Sequence, residues 1–173
     1  MGINSHERLY EEAAATFGAA LGRLARAYEA DPEKRRDLLQ EIHLALWRSF
    51  EGFDGRCSLR TWVYRVAHNT ATSHTLRQRR ANATFVSLEE LDQVPDPQHD
   101  RGAERSHSLA RLLELIQRLK PLDRQVIVSY LEGMDAASIG EITGISAGNV
   151  ATKIHRIKST LAQRFQEGGH YAG

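Results

Sequence analysis

Apolar residues in this chain return at every third or fourth position over almost its whole length, and that spacing restricts the fold more than any other feature. Leu9, Ala13, Phe17, Ala20, Leu21, Leu24 and Tyr28 share one helical face and predict an amphipathic helix over residues 5–30. Asp31-Pro32 then restarts the chain, because Asp caps a helix and Pro is preorganised for its first position. Leu38, Leu39, Ile42, Leu46 and Phe50 stripe this second helix, which should stop at Glu51-Gly52. Beyond the loop 53–57, Ser58 is placed to cap a third helix with Leu59, Trp62, Val63, Val66 and Thr70 inward. β-branched residues fall at helical spacing and no period-two run exceeds a few residues, so the chain should be all-α.

Further along, Leu109, Leu112, Leu113, Ile116 and Leu119 make a helical stripe that ends before Pro121. Val126, Ile127, Tyr130 and Leu131 make the next, ending at Gly133. Two short elements then meet at a tight turn. Asp135 caps a helix carrying Ile139 and Ile142, Gly144 ends it, Ile145 plugs the turn, and Ser146 caps a last helix with Val150, Ile154, Ile157 and Leu161 inward. This is the outline of a helix-turn-helix, in which Gly140 lets the two helices approach closely.

Charge divides the chain into blocks. Residues 1–80 carry 13 basic and 10 acidic groups, 81–107 carry 2 and 6, and 108–173 carry 8 and 6. The acidic middle also holds Pro95, Pro97 and Gly102 and few large apolar residues, so a flexible linker over 81–107 should separate small domains at 1–80 and 108–173. A single cysteine, Cys57, excludes an internal disulfide framework and suits a reducing, cytoplasmic compartment. No basic-then-apolar leader opens the chain and no apolar run reaches membrane-spanning length, which predicts a protein neither exported nor inserted.

Two faces stand out against a net charge of only +1. Residues 56–80 hold Arg56, Arg60, Arg65, Arg77, Arg79 and Arg80 and no Asp or Glu, interleaved with Trp62, Tyr64 and Asn69-Thr70-Ala71-Thr72. A solvated face would usually alternate signs; a cationic face with aromatics and amides suits nucleic acid. The outward side of the last helix, with Ala151, Thr152, His155, Arg156 and Ser159 and with Lys153 and Lys158 flanking, lies in a stretch, 146–164, that contains four basic residues and no acid. That helix either enters a major groove or packs as a hairpin against protein; the turn, the cap and the acid-free face together point to DNA. Asp37 and Glu41, four residues apart among arginines, read as a contact face for a basic partner or a plain solvated one.

Chemistry of other kinds finds no residues. The eight histidines are scattered, and the six-residue spacing of His68 and His74 puts them on different helix faces, so no metal is expected. No phosphate loop, nucleophile elbow or acid pair suggests catalysis.

With these residues in view, the chain resembles the bacterial extracytoplasmic-function (ECF) sigma factors, compact members of the sigma-70 family. Asp37 to Trp47 resembles conserved region 2.2, Ser58 to Asn69 regions 2.3 and 2.4, and Leu119 to Arg164 region 4. The resemblance implies that Asp37, Gln40, Glu41 and Trp47 bind core RNA polymerase at the β′ clamp helices, with the β flap as a second contact. It implies that Arg56, Ser58, Arg60, Trp62, Arg65, His68, Asn69, Thr72, Arg77, Arg79 and Arg80 hold the opened minus-10 element. Ser146, Ala151, Thr152, Lys153, His155 and Arg156 would hold the minus-35 duplex. It further implies an anti-sigma factor as a partner, no cofactor, no small-molecule substrate and no enzymatic activity. Ala151 and Ser73 depart from the family pattern at positions that bear on promoter sequence. A stand-alone helix-turn-helix regulator is the alternative, and it would leave the 62–69 block and the Asp37–Glu41 face idle.

Overall fold

The structure, a computed structural model, describes residues 4–85 and 104–168. Seven α-helices and one short 3-10 helix, with no strand, make up the regular structure of those residues: α1 Ser5–Tyr28, α2 Pro32–Ser49, the 3-10 helix Phe50–Gly52, α3 Leu59–Phe85, α4 Glu104–Gln117, α5 Pro121–Leu131, α6 Ala136–Thr143 and α7 Ala147–Glu167. Of the expected linker 81–107, residues 86–103 lie outside the described residues, while 81–85 continue α3 and 104–107 open α4, so those ends are helical rather than flexible linker.

The helix boundaries follow from caps. Asp31 Oδ1 accepts from the Glu33 and Lys34 N–H groups at 2.9 and 3.0 Å, with Pro32 in the first helical position. Ser58 Oγ accepts from the Thr61 N–H at 3.1 Å, Asp135 from Ser138 at 2.8 Å and Ser146 from Asn149 at 3.2 Å. Each side chain satisfies a helix-terminal donor that has no partner within the helix. Gly144 ends α6 at φ 81°, a left-handed conformation that glycine adopts without steric cost.

α1, α2 and α3 form one bundle around Ala13, Leu21, Leu24, Leu38, Ile42, Leu46, Phe50 and Val63. A second, α4 to α7, closes over Ile116, Val126, Ile127, Ile139, Val150, Ile157 and Leu161. The two do not stand apart. α4 packs on α1, and α5 and α6 pack on α3.

That docking changes which faces are inside. On α3 the fully buried positions are Val63, Tyr64, Ala67, His68 and Ala71, while Leu59, Trp62, Val66 and Thr70 are only half-buried. On α5, Tyr130 and Leu131 are exposed, at 37% and 57%, and Val128 and Ser129 are buried instead. The expected inward sides were those of isolated amphipathic helices. Here α3 is covered from two directions, and α5 turns its Ser129 edge toward α3.

Candidate nucleic-acid and polymerase interfaces

α2 presents a mixed surface. Leu44 and Trp47 are each 48% exposed, and Asp37 and Gln40 are exposed beside them. An aromatic and a leucine left in water, ringed by polar groups, fit the anchor and rim of a protein contact. Glu41 is less available. Its carboxylate accepts from Arg77 at 2.6 Å and lies 3.9 Å from the His74 ring, whose other nitrogen sits 3.1 Å from Glu29. Arg77, expected on a DNA backbone, is thus engaged by α2 in this conformation.

The loop before α3 is built around aromatic packing. Trp62 Nε1 donates to Ser49 Oγ at 3.0 Å, and its ring meets that of Phe53 edge-on at 5.2 Å between centroids. Only part of Trp62 therefore faces outward. Arg56 pairs with Asp54 at 2.9 Å on an exposed loop, and Ser58 spends its hydroxyl on the helix cap. Asn69, Arg79 and Arg80 are exposed along α3.

The rest of the expected minus-10 face is covered by the second bundle. Arg60 donates to the Glu132 carbonyl at 2.6 Å and Arg65 to the Glu141 carbonyl at 2.7 Å. Thr72 accepts from Gln125 at 3.2 Å. His68, which the resemblance put with Asn69 on the minus-10 strand, does not share the outward face with it. It is fully buried, bonded through Nδ1 to the Tyr28 hydroxyl at 2.8 Å and through Nε2 to the Ser129 hydroxyl at 3.1 Å. A neutral imidazole donates from one nitrogen and accepts at the other, and two hydroxyls serve either role. Desolvation holds its pKa down at about 3, so it is neutral.

Two residues that the sequence did not single out organise this junction. The Glu132 carboxylate, at the end of α5, accepts two bonds from Arg23 of α1 at 2.7 and 2.8 Å and one from the Tyr64 hydroxyl at 3.4 Å. Arg124, a buried arginine in the apolar stripe of α5, donates to the carbonyls of Gln117 and Leu119 and places its guanidinium 5.0 Å from the Tyr28 ring centre. No single-helix periodicity marks either; their partners lie on other elements.

At the opposite end, α7 exposes Ala151, Thr152, His155 and Arg156, with Ser146 exposed at its start. Lys153 points elsewhere, pairing with Asp123 of α5 at 2.8 Å, so it helps hold α7 in place. The Thr152 hydroxyl donates to the Gly148 carbonyl at 3.1 Å. A Cβ at Gly140 would lie 2.7 Å from the Ile145 carbonyl oxygen, so the turn between α6 and α7 needs glycine there.

A chain of two helical modules, one ending in a helix-turn-helix, finds its counterparts among transcription initiation factors. Residues 15–81 match the family model for Sigma-70 region 2, and residues 109–161 that for Sigma-70, region 4. The RNA polymerase sigma-E factor of Streptomyces avermitilis is 32% identical over 163 residues, 91% of this chain and 85% of that protein. The ECF RNA polymerase sigma-E factor of Haemophilus influenzae is 28% identical over 139 residues, 75% of this chain and 74% of that one. The fold is shared with CnrH in its complex with the cytosolic domain of CnrY, at a TM-score of 0.67 and 22% identity over 93% of this chain and 90% of that one. It is shared also with the sigma factor RpoE in complex with the anti-sigma factor NepR from Bartonella quintana, at 0.69 and 18% over 91% and 96%. The chain belongs to the sigma-70 family of RNA polymerase sigma factors. Within that family it is of the extracytoplasmic-function type.

Proposed function

We propose that this chain binds core RNA polymerase and directs it to promoters, with region 2 spanning 1–80 and region 4 spanning 108–173. α2 docks on the β′ clamp helices through Trp47, Asp37 and Gln40, with Glu41 joining once released from Arg77, and region 4 meets the β flap. Asn69, with Arg56, Arg79 and Arg80 along the backbone and Trp62 beside it, holds the opened minus-10 strand. Flipping a base out of the stack costs a few kcal/mol, which stacking, an amide and a cationic track offset. Ser146, Ala151, Thr152, His155 and Arg156 face the minus-35 duplex. The observation that carries the reading is a capped, glycine-dependent turn presenting an exposed, acid-free helix face behind a second module with an exposed Trp47 and Asn69. The protein acts in the cytoplasm, supplies no catalytic group, and is held inactive by an anti-sigma factor, as the complexes of its structural relatives suggest.

Run-off transcription with purified core polymerase tests this. Initiation that depends on the added chain is expected; a stand-alone regulator would give none. Asn69→Ala should weaken promoter opening while sparing core binding, and an equal loss of both would remove Asn69 from the DNA site.

A further inference from the structure

The first turn of α7, Ala147 to Val150, carries a single side chain able to hydrogen-bond. Ala147 offers a methyl group, Gly148 has no side chain, and Val150 is buried in the core. Asn149 is exposed, and its backbone N–H donates to Ser146 Oγ at 3.2 Å, which anchors the backbone that carries it. Among the described residues no hydrogen bond engages its side-chain amide. Neighbouring polar groups on α7 are committed elsewhere. The Thr152 hydroxyl donates to the Gly148 carbonyl at 3.1 Å, Lys153 pairs with Asp123 at 2.8 Å, and Lys158 lies 3.4 Å from the Tyr130 hydroxyl. Asn149 thus holds out a donor and an acceptor side by side, and the open space around Gly148 leaves them uncrowded. Asn149, Thr152 and Arg156 stand three and four residues apart, so they share one face of the helix.

We propose that Asn149 is a specificity-determining residue of the minus-35 contact and that it reads an adenine. A recognition helix meets base edges with its N-terminal residues. In the major groove adenine shows its N7 acceptor beside its N6 amino donor, and a side-chain amide answers both. The Asn149 NH2 donates to N7, and its carbonyl oxygen accepts from the N6 amino group. Guanine shows two acceptors in the same place, cytosine a donor, and thymine an acceptor and a methyl group, so each leaves one end of the amide unpaired. Arg156, about 10 Å further along the same face, meets a different base pair or its phosphate. The inference rests on the reading of α7 as the helix that enters the minus-35 duplex.

The test uses holoenzyme reconstituted from core polymerase and the full chain. Duplex DNA of randomised sequence is selected for binding, recovered and sequenced, and Arg156→Ala marks which block of the selected motif belongs to α7. Within that block the wild type should select an A·T pair whose preference vanishes in Asn149→Ala while the rest of the motif persists. Replacing that adenine by 7-deazaadenine, which lacks the N7 acceptor, should weaken the wild type about tenfold and leave the binding of Asn149→Ala unchanged. A merely structural role would weaken every duplex alike. Should Asn149→Ala not fold, Asn149→Ser, whose hydroxyl is too short to span both base atoms, carries the same comparison. A variant motif identical to that of the wild type, a uniform loss at every position, or equal sensitivity of both chains to the modified base would overturn the assignment. If the wild type selects no such block and Arg156→Ala changes nothing, the reading of α7 as the helix that enters the duplex fails instead.

Discussion

Replacing Gly140 by alanine isolates the steric condition on which the helix-turn-helix depends. The added Cβ would lie 2.7 Å from the Ile145 carbonyl oxygen, with the Ala147 nitrogen at 3.7 Å and the Ser146 carbonyl carbon at 3.8 Å. Ordinary contact begins near 3.4 Å, so the turn must retreat by about 0.7 Å, and the obstacle is backbone rather than a side chain that can swing away. That backbone is tied down on both sides, by Ser146 capping α7 and by Ile145 packed against the core. Alanine is worth about 1 kcal/mol over glycine inside a helix, and overpacking a tight contact costs about 1–3 kcal/mol. With an unyielding obstacle the cost should lie toward the upper end, leaving Gly140→Ala less stable by about 1–2 kcal/mol. Gly22, inside α1, has nothing within 4 Å of a would-be Cβ, so Gly22→Ala should gain about 0.5–1 kcal/mol. Gly144 also has open space but sits at φ 81°, and Gly144→Ala should lose about 1 kcal/mol through backbone strain alone. Native-state hydrogen exchange of the α6 and α7 amides reads the local loss, and urea midpoints read the rest. A Gly140→Ala variant as stable as wild type, with α6 and α7 equally protected, would refute the close approach.

Other expectations follow from single groups. The Lys34 and Glu33 N–H groups hold the Asp31 carboxyl below the usual carboxylate range, and the Ser138 N–H does the same for Asp135. Their stabilising effect is complete above the unfolded carboxylate value of about 4 and is lost as pH falls through the lowered folded value; Asn at either position keeps the cap but flattens the melting temperature against acid. His68 has the same sign of pH dependence at a higher pH: the unfolded ring takes a proton near pH ~6.5 that the buried ring refuses down to about 3, so stability falls across that window as pH drops. His68→Gln should remove this slope from urea midpoints measured through the same window. Arg156→Ala should weaken minus-35 duplex binding and, if the contact is to phosphate, lower the salt slope by about one ion. Trp47→Ala should weaken core polymerase binding by about tenfold or more in a competition assay, as expected for an exposed aromatic anchor.

Local physics was legible in the chain. Asp31, Ser58, Asp135 and Ser146 each cap the helix they were expected to cap, and Gly144 takes the left-handed conformation the turn needed, because a cap or a turn is settled by a handful of neighbouring residues. The spacing of Val150, Ile157 and Leu161 likewise placed the inner side of α7, leaving Thr152, His155 and Arg156 outside.

What needed the tertiary structure was every position whose surroundings come from a distant segment. A helical stripe tells which residues share a face but not how many neighbours will cover the helix, so His68 read as exposed and is buried, and Leu131 read as buried and is exposed. Glu132 looks like any surface carboxylate until folding sets Arg23, 109 positions earlier, against it. Arg124 sits in an apolar stripe because carbonyls of the preceding turn and the Tyr28 ring receive its charge, a compensation that only three-dimensional proximity supplies. The sequence alone determined that the described residues are helical and where the caps of α2, α3, α6 and α7 fall. The packing of α5 and α6 onto α3 decided which of the cationic side chains face water, because that choice depends on long-range contacts that no local pattern encodes.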